Sequence, residues 1–215
     1  MAKSAEDSYA PYVSTIKSKP HWADEVQNPH GGLLLNKSGY LDTEKFLKSL
    51  KEKFSKNNIL LEQSFEFNSL ERVQDGFRYK EFEFEKLIFC DGRLSNENPY
   101  FSWLPFNLVK GELLFIKTNV NPRVIYNRGV FVIPLQDGMC KCGSTYDHKD
   151  LTEIPTKKGK EELLERVKNL INFDFEVINQ KAGVRPATKD RKPFIGEHPR
   201  EKGIWVFNGG KTLNG

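Results

Sequence analysis

Val130-Phe131-Val132-Ile133-Pro134-Leu135-Gln136-Asp137-Gly138-Met139-Cys140-Lys141-Cys142 is the stretch on which the fold turns. Two apolar arms flank Gln136-Asp137-Gly138. An Asp-Gly pair between such arms marks a β-hairpin, because both residues tolerate the positive φ of a tight turn. Pro134 has no N–H for a ladder, so the first arm lies at an edge or ends there. Antiparallel pairing is thereby expected for the middle of the chain. Downstream, Phe173, Phe175 and Val177 alternate as a further strand that leads into Lys181-Ala182-Gly183-Val184-Arg185-Pro186.

Other apolar runs are of a different kind. Ile59–Leu61, Leu87–Cys90 and Ile204–Phe207 are short and continuous, as strands of a parallel sheet covered on both faces would be. Ser64–Asn68 reads as a short strand, Phe77–Phe84 alternates imperfectly with charge, and Leu113–Lys117 resumes as a strand after the loop of residues 93–110. Helical spacing occurs twice: Phe46, Leu47, Leu50 and Phe54 behind a capping Asp42, and Leu163, Leu164, Val167, Leu170 and Ile171 from about Lys157. Residues 1–30 are polar, with Tyr9, Tyr12 and Trp22 and several prolines, and predict irregular backbone held by those rings. The fold class is α+β: a large, mostly antiparallel sheet with helices, interleaved with a smaller α/β part.

The chain has 215 residues, enough for one large domain or two interleaved ones. Its formal net charge of +4, from 33 basic and 29 acidic residues mixed along the sequence, is too mild for an electrostatic footprint on nucleic acid. No apolar run approaches membrane-spanning length, and the N-terminus lacks the apolar core of a signal peptide. Three cysteines argue against a disulfide framework and for a reducing compartment, so the sequence predicts a cytoplasmic protein. Cys140 and Cys142 are spaced to share one strand face, unlike a zinc knuckle, and no metal site is expected even with His148 nearby. His148 itself reads as a solvated turn residue and Trp205 as core.

Arg185 is the residue whose chemistry stands out. A guanidinium held between Gly183 and Pro186 can meet a carboxylate through two parallel N–H···O bonds, with the flanking residues limiting its backbone. The alternative is a strand-to-loop exit whose Arg pairs with a neighbouring Asp.

Taken in order, several elements resemble the FAD-dependent amine oxidoreductases of the D-amino-acid oxidase and glycine oxidase family. They are Gly39-Tyr40-Leu41-Asp42-Thr43, Leu87-Ile88-Phe89-Cys90-Asp91-Gly92, Val109-Lys110-Gly111-Glu112-Leu113, Val132 to Gly138, Gly143-Ser144-Thr145-Tyr146 and Gly183 to Gly196. The resemblance implies two interleaved domains, residues 1–36 with 101–190 binding substrate and residues 37–100 with 191–215 forming part of an FAD-binding domain. It implies oxidation of a small carboxylate-bearing amine or amino acid, the substrate Cα–H passing as hydride to the flavin. Arg185 would then clamp the carboxylate, with Tyr146 and Tyr126 as further substrate contacts, and no catalytic base would be needed. Gly92, Gly209, Gly210, Lys211 and Thr212 would lie along the FAD.

The family opens with a strand, a G-x-G-x-x-G turn and a helix, and residues 1–35 supply no such fingerprint. The resemblance therefore implies an internal fragment that does not hold FAD tightly by itself. Two departures accompany this: Cys90-Asp91-Gly92 puts an acidic group where the family has a small-residue turn, and Asn208 to Thr212 lacks regular G-x-G spacing. A non-catalytic carboxylate-binding or assembly module on the same fold, and a flavin-dependent 2-hydroxy-acid dehydrogenase, remain as alternatives.

Overall fold

A computed structural model describes residues 11–14, 22–29 and 31–210. Tyr9, Lys211 and Thr212 lie outside the described residues. The elements run β1 (Val13–Ser14), β2 (Leu34–Leu35), α1 (Thr43–Lys56), β3 (Leu70–Val73), β4 (Gly76–Tyr79), β5 (Phe82–Phe84) and β6 (Leu87–Phe89). There follow β7 (Val109–Lys117), β8 (Tyr126–Asn127), β9 (Phe131–Pro134), β10 (Met139–Gly143), α2 (Lys157–Lys168), β11 (Glu176–Arg185), β12 (Pro193–Glu197) and β13 (Ile204–Gly209). The fold is α+β, with two α-helices among the described residues. The chain divides into one unit of residues 1–38, 90–194 and 208–215 and a second of residues 39–89 and 195–207.

The first unit is built on a five-stranded sheet in the order β11-β7-β10-β9-β8. Its β9–β10 hairpin closes with Asp137 at φ 58° and Gly138 at φ 70°, and Met139 N donates to the Gln136 carbonyl at 3.1 Å. Two successive positive φ values are the geometry an Asp-Gly turn supplies at least strain. Pro134 is the last residue of β9, where its missing N–H costs no ladder bond.

Strand β7 sits between β11 and β10, and its alternation separates the two faces of the sheet. On one face Leu114 and Ile116 join Cys140, Cys142, Val132 and Tyr126 against Leu163 and Val167 of α2, all buried. Each such side chain contributes about 1.5–3 kcal/mol by leaving water. Burial also pushes the Cys140 thiol up to about 11 and holds the Cys142 thiol higher still, so neither is a reactive thiolate. Cys90, Cys140 and Cys142 are all free.

The second unit departs from the sequence expectations in three places. Ile59–Leu61 is no strand: α1 closes with Asn58 at φ 55° and Ile59 N donating to the Phe54 carbonyl at 3.1 Å, so this apolar run belongs to the helix's C-terminal closure. Ser64–Asn68 is also not a strand. A 3-10 turn spans Phe67–Ser69, and Phe65 stacks on Tyr79 with ring centroids 4.7 Å apart. The Phe77–Phe84 run is itself a hairpin, β4 to β5, turned at Lys80 with φ 54° and bridged by Arg78 and Glu83 at 2.7 Å. Strand β6 does pair in parallel with β13, Ile88 opposite Trp205. It is an edge strand, however, and Ile88 is 59% exposed rather than covered on both faces.

Two buried charges on β7 tie the first unit together. Lys110 donates from Nζ to Asp150 at 2.5 Å, to the Ile154 carbonyl at 2.5 Å and to Thr152 at 3.3 Å, anchoring the segment before α2. Glu112 accepts from Thr156 N at 2.8 Å, Thr156 Oγ1 at 2.7 Å and Gln180 Nε2 at 2.6 Å, placing its carboxylate at the N-terminus of α2. Gly159 is required beneath it, since a Cβ there would stand 2.4 Å from Glu112 Oε1. Glu112→Ala leaves Thr156 N and Thr156 Oγ1 without this acceptor and Gln180 Nε2 with the Thr156 carbonyl alone, so the urea midpoint should fall by the equivalent of about 1–3 kcal/mol, and a loss below about 0.5 kcal/mol would contradict the network.

Hydrogen bonds from Lys110 and Thr152 hold the Asp150 carboxyl at about 2, below its ordinary 3.8. A depressed folded value means stability that is complete above 3.8 and lost as pH falls toward 2. Asp150→Asn should flatten the stability-against-pH curve in that interval and leave its shape near neutral pH unchanged, as acid titration followed by circular dichroism would show.

Candidate active site

The face of the sheet away from α2 carries the residue that stood out in the sequence. Arg185 ends β11 opposite Val109, and the pairing continues with Gly183 opposite Gly111 and Lys181 opposite Leu113. Side chains of directly paired residues share a face, so Arg185, Gly183 and Lys181 lie with Val109, Gly111 and Leu113. Two contacts agree with that placement: the Arg185 guanidinium lies on Gly111, and the Lys181 ammonium lies over the Phe115 ring. A Cβ on residue 111 would stand 1.9 Å from Arg185 Nη2. Gly111 therefore serves as the floor on which the guanidinium rests.

The guanidinium is held from two further sides. Its Nη2 donates to Ser144 Oγ at 2.6 Å, and its Cζ lies 5.0 Å from the centre of the Tyr146 ring. Nη1 is buried and has no hydrogen-bond partner among the described residues. Desolvation lowers the Arg185 pKa from its ordinary value, opposed by Tyr146, and the group keeps its charge. A buried guanidinium nitrogen with nothing to donate to costs about 1–3 kcal/mol, the sort of deficit a ligand acceptor would remove. Among the described residues no Asp pairs with it, and its Nη2 goes to Ser144 instead.

Of the two tyrosines, only Tyr146 reaches this cluster. Tyr126 lies on β8, at the opposite edge of the sheet and on the α2 face, where its hydroxyl donates to the Glu25 carboxylate and its pKa is raised, first by desolvation. A ligand on Arg185 cannot touch it, because the sheet stands between them. Its aromatic character reflected core packing. Conversely, Ser144 and Gly111 escaped the reading of the sequence as site residues. Gly111 precedes the strand expected at Leu113–Lys117, whereas β7 begins at Val109, so its place inside a strand, a signal of close approach by another group, is legible only from the pairing. His148 is exposed, as expected of a turn residue, with Nδ1 3.0 Å from the Leu108 carbonyl oxygen.

The glycine positions cluster in the same unit. Gly92 has φ 59° and its carbonyl accepts from Asn208 Nδ2 at 2.6 Å, while Gly209 and Gly210 have φ 85° and 102°. Gly209 could not carry a side chain, since a Cβ would stand 2.7 Å from Thr188 Cγ2. Asp91, unexplained in the sequence, accepts from Asn98 Nδ2 at 2.8 Å and from Asn208 Nδ2 at 3.3 Å, and is also bonded by Ser95. Its carboxylate closes the 3-10 turn at Gly92–Asn96 and ties that turn to β13.

The described residues make no pyrophosphate cradle. Each of the two described α-helices has its N-terminus closed by a carboxylate of the chain itself. Asp42 accepts from Lys45 N at α1 and Glu112 from Thr156 N at α2, so at each end a carboxylate already takes part of the place that a phosphate would need. The phosphate-binding part of a dinucleotide site does not fit here. Nor do the described residues contain a group of His, Cys, Asp or Glu able to hold a metal ion.

Known proteins are similar to this chain in sequence and in fold. Glycine oxidase of Pseudomonas aeruginosa is 31% identical over 137 residues, 61% of the chain and 37% of the enzyme. The Bacillus subtilis glycine oxidase is 32% identical over 111 residues, 50% of the chain and 30% of that protein. The tRNA 5-methylaminomethyl-2-thiouridine biosynthesis bifunctional protein MnmC of Leptospira interrogans is 32% identical over 154 residues, 60% of the chain and 23% of that protein. Among solved structures, glycine oxidase from Geobacillus kaustophilus superposes with a TM-score of 0.53 at 24% identity, covering 60% of the chain and 36% of the enzyme, a likeness of fold. The chain thus spans about a third of the length of these oxidases. The sequence profile described as FAD dependent oxidoreductase matches residues 8–213, and the chain belongs to that family.

Proposed function

We propose that this chain supplies the carboxylate-binding part of an FAD-dependent oxidoreductase acting on the C–N bond of a small amine or amino acid. The buried, unpartnered Nη1 of Arg185 carries the reading. Ser144 takes one hydrogen of Nη2, and the remaining Nη hydrogens are enough for a carboxylate to be met by two bonds. Tyr146, whose ring lies over the guanidinium and is 45% exposed, turns aside to admit the ligand and then packs on it. Fixing the carboxylate fixes the Cα beside it, so the chain's part in the reaction is orientation. The flavin supplies the redox chemistry when it is bound.

On this reading the unit of residues 1–38, 90–194 and 208–215 is the substrate side, because it holds the antiparallel sheet and Arg185. Residues 39–89 with 195–207, which hold the parallel pair β6 and β13, belong to the flavin side. Gly92, Gly209 and Gly210 are the flavin-proximal residues of the first unit. Free thiols at Cys90, Cys140 and Cys142 support a reducing compartment, the cytoplasm, and no helix of the described residues is long and apolar enough to cross a membrane. The rival reading is a carboxylate-binding module that does not turn over. Substrate-dependent bleaching of flavin absorbance in the protein carrying its complete flavin site separates the two.

Arg185→Lys keeps the charge and loses the planar fork, and Arg185→Ala loses both. Carboxylate affinity, read by NMR titration with butyrate, should fall progressively, by roughly tenfold to a hundredfold for Ala. Unchanged affinity in a folded Arg185→Ala variant would sink the clamp. Gly111→Ala should weaken butyrate binding at least as much as Arg185→Lys, since the added methyl displaces the guanidinium from its floor. If Gly111→Ala instead binds butyrate like the wild type, the guanidinium does not act from that position.

A further inference from the structure

Among the described residues, the strand positions on the sheet face that presents Arg185 carry more cations than carboxylates. Register places Arg185, Lys181, Lys141 and Lys117 on it, with Gly111, Leu113 and Phe115 of β7 between the flanking strands. The carboxylate that pairing puts on this face is Glu176, opposite Lys117 at the end of the ladder far from Arg185. Lys181 is exposed, and its ammonium lies 5.4 Å from the centre of the Phe115 ring; Lys141 pairs with Phe115 from the other side. Between Lys181 and Arg185 stands Gly183, where a Cβ would meet nothing within 4 Å. A cation, a gap and a second cation thus follow one another along one strand.

We propose that the site takes amine substrates bearing a second anionic group, with Arg185 holding the first carboxylate, the gap at Gly183 accommodating the spacer and Lys181 meeting the second. This deepens the clamp reading of Arg185 and rests on it. Four strand residues separate the two Cα atoms by about 13 Å. Arg185 leans two residues toward Lys181 by lying on Gly111, and the lysine stem can swing between Phe115 and the gap. The nitrogen atoms therefore stand roughly 7 to 13 Å apart. A dicarboxylate with a three-carbon spacer needs about 11 to 12 Å between the nitrogens that hold it, once a hydrogen bond of about 2.8 Å is allowed at each end. Two cations on one face also raise the local concentration of a dianion more than of a monoanion.

The test compares glutarate with butyrate, matched in length of carbon chain to within one carboxylate, by NMR or calorimetric titration of the chain at constant ionic strength. Wild type should bind glutarate about threefold to tenfold more tightly than butyrate. Lys181→Met should remove that advantage and leave butyrate unchanged, and Lys160→Met, on the exposed side of α2, should alter neither. Equal binding of the two probes by wild type, or equal loss from Lys181→Met and Lys160→Met, overturns the second subsite while the clamp stands. Loss of both probes in Arg185→Met supports the clamp itself. Binding of both that survives Arg185→Met, or no binding of either by wild type, overturns clamp and subsite together.

Discussion

The pairing of β11 with β7 is the constraint on which the site depends. From Asn179 opposite Phe115 to Arg185 opposite Val109 the ladder runs without a break, after a register shift between Val177 and Asn179. A slip of one residue would send Arg185 to the helix side of the sheet and bury its charge among Leu114, Ile116 and α2. The register is held from that helix side, where Gln180 is bonded to Glu112 and to the Thr156 carbonyl. Glu112 thus positions the site without facing it.

Strand β7 works on both faces at once. Its even-numbered residues, Lys110 and Glu112 followed by Leu114 and Ile116, bind the 147–156 segment and α2 and close the core. Its odd-numbered residues leave space, with Gly111 as the floor for a guanidinium. Buried ionised groups are costly unless every donor and acceptor is met, and here each charge on the helix face has at least three bonds. On the other face Arg185 has Ser144 and a buried nitrogen without a partner. The contrast between a satisfied network on one face of β7 and an unsatisfied guanidinium on the other is what sets Arg185 apart from the charges of the helix face.

The sequence disclosed the parts governed by local chemistry. Asp137-Gly138 announced the hairpin because few residue pairs accept two positive φ values, Asp42 and the Lys157 region announced the helices, and Arg185 announced itself by the residues around it. Runs of apolar residues misled where several structures share one pattern: Ile59–Leu61 closes a helix, Ser64–Asn68 feeds an aromatic stack, and Ile88 is exposed at an edge. Tyr126 shows the same limit for the site, since nothing in its neighbours tells which face of a sheet a tyrosine will take. That information lies in pairing between strands far apart in the chain, as does the meeting of Arg185 with Gly111 and Ser144 across gaps of 74 and 41 residues.

The most direct test of the central claim is a crystal structure of the protein with a bound amino acid or simple carboxylate such as butyrate. A carboxylate oxygen should lie within about 3 Å of Arg185 Nη1, with Ser144 still bonded to Nη2 and the Tyr146 ring moved from its present place. A carboxylate bound elsewhere with Nη1 unchanged, or Nη1 paired with an acceptor from the protein itself, would contradict it.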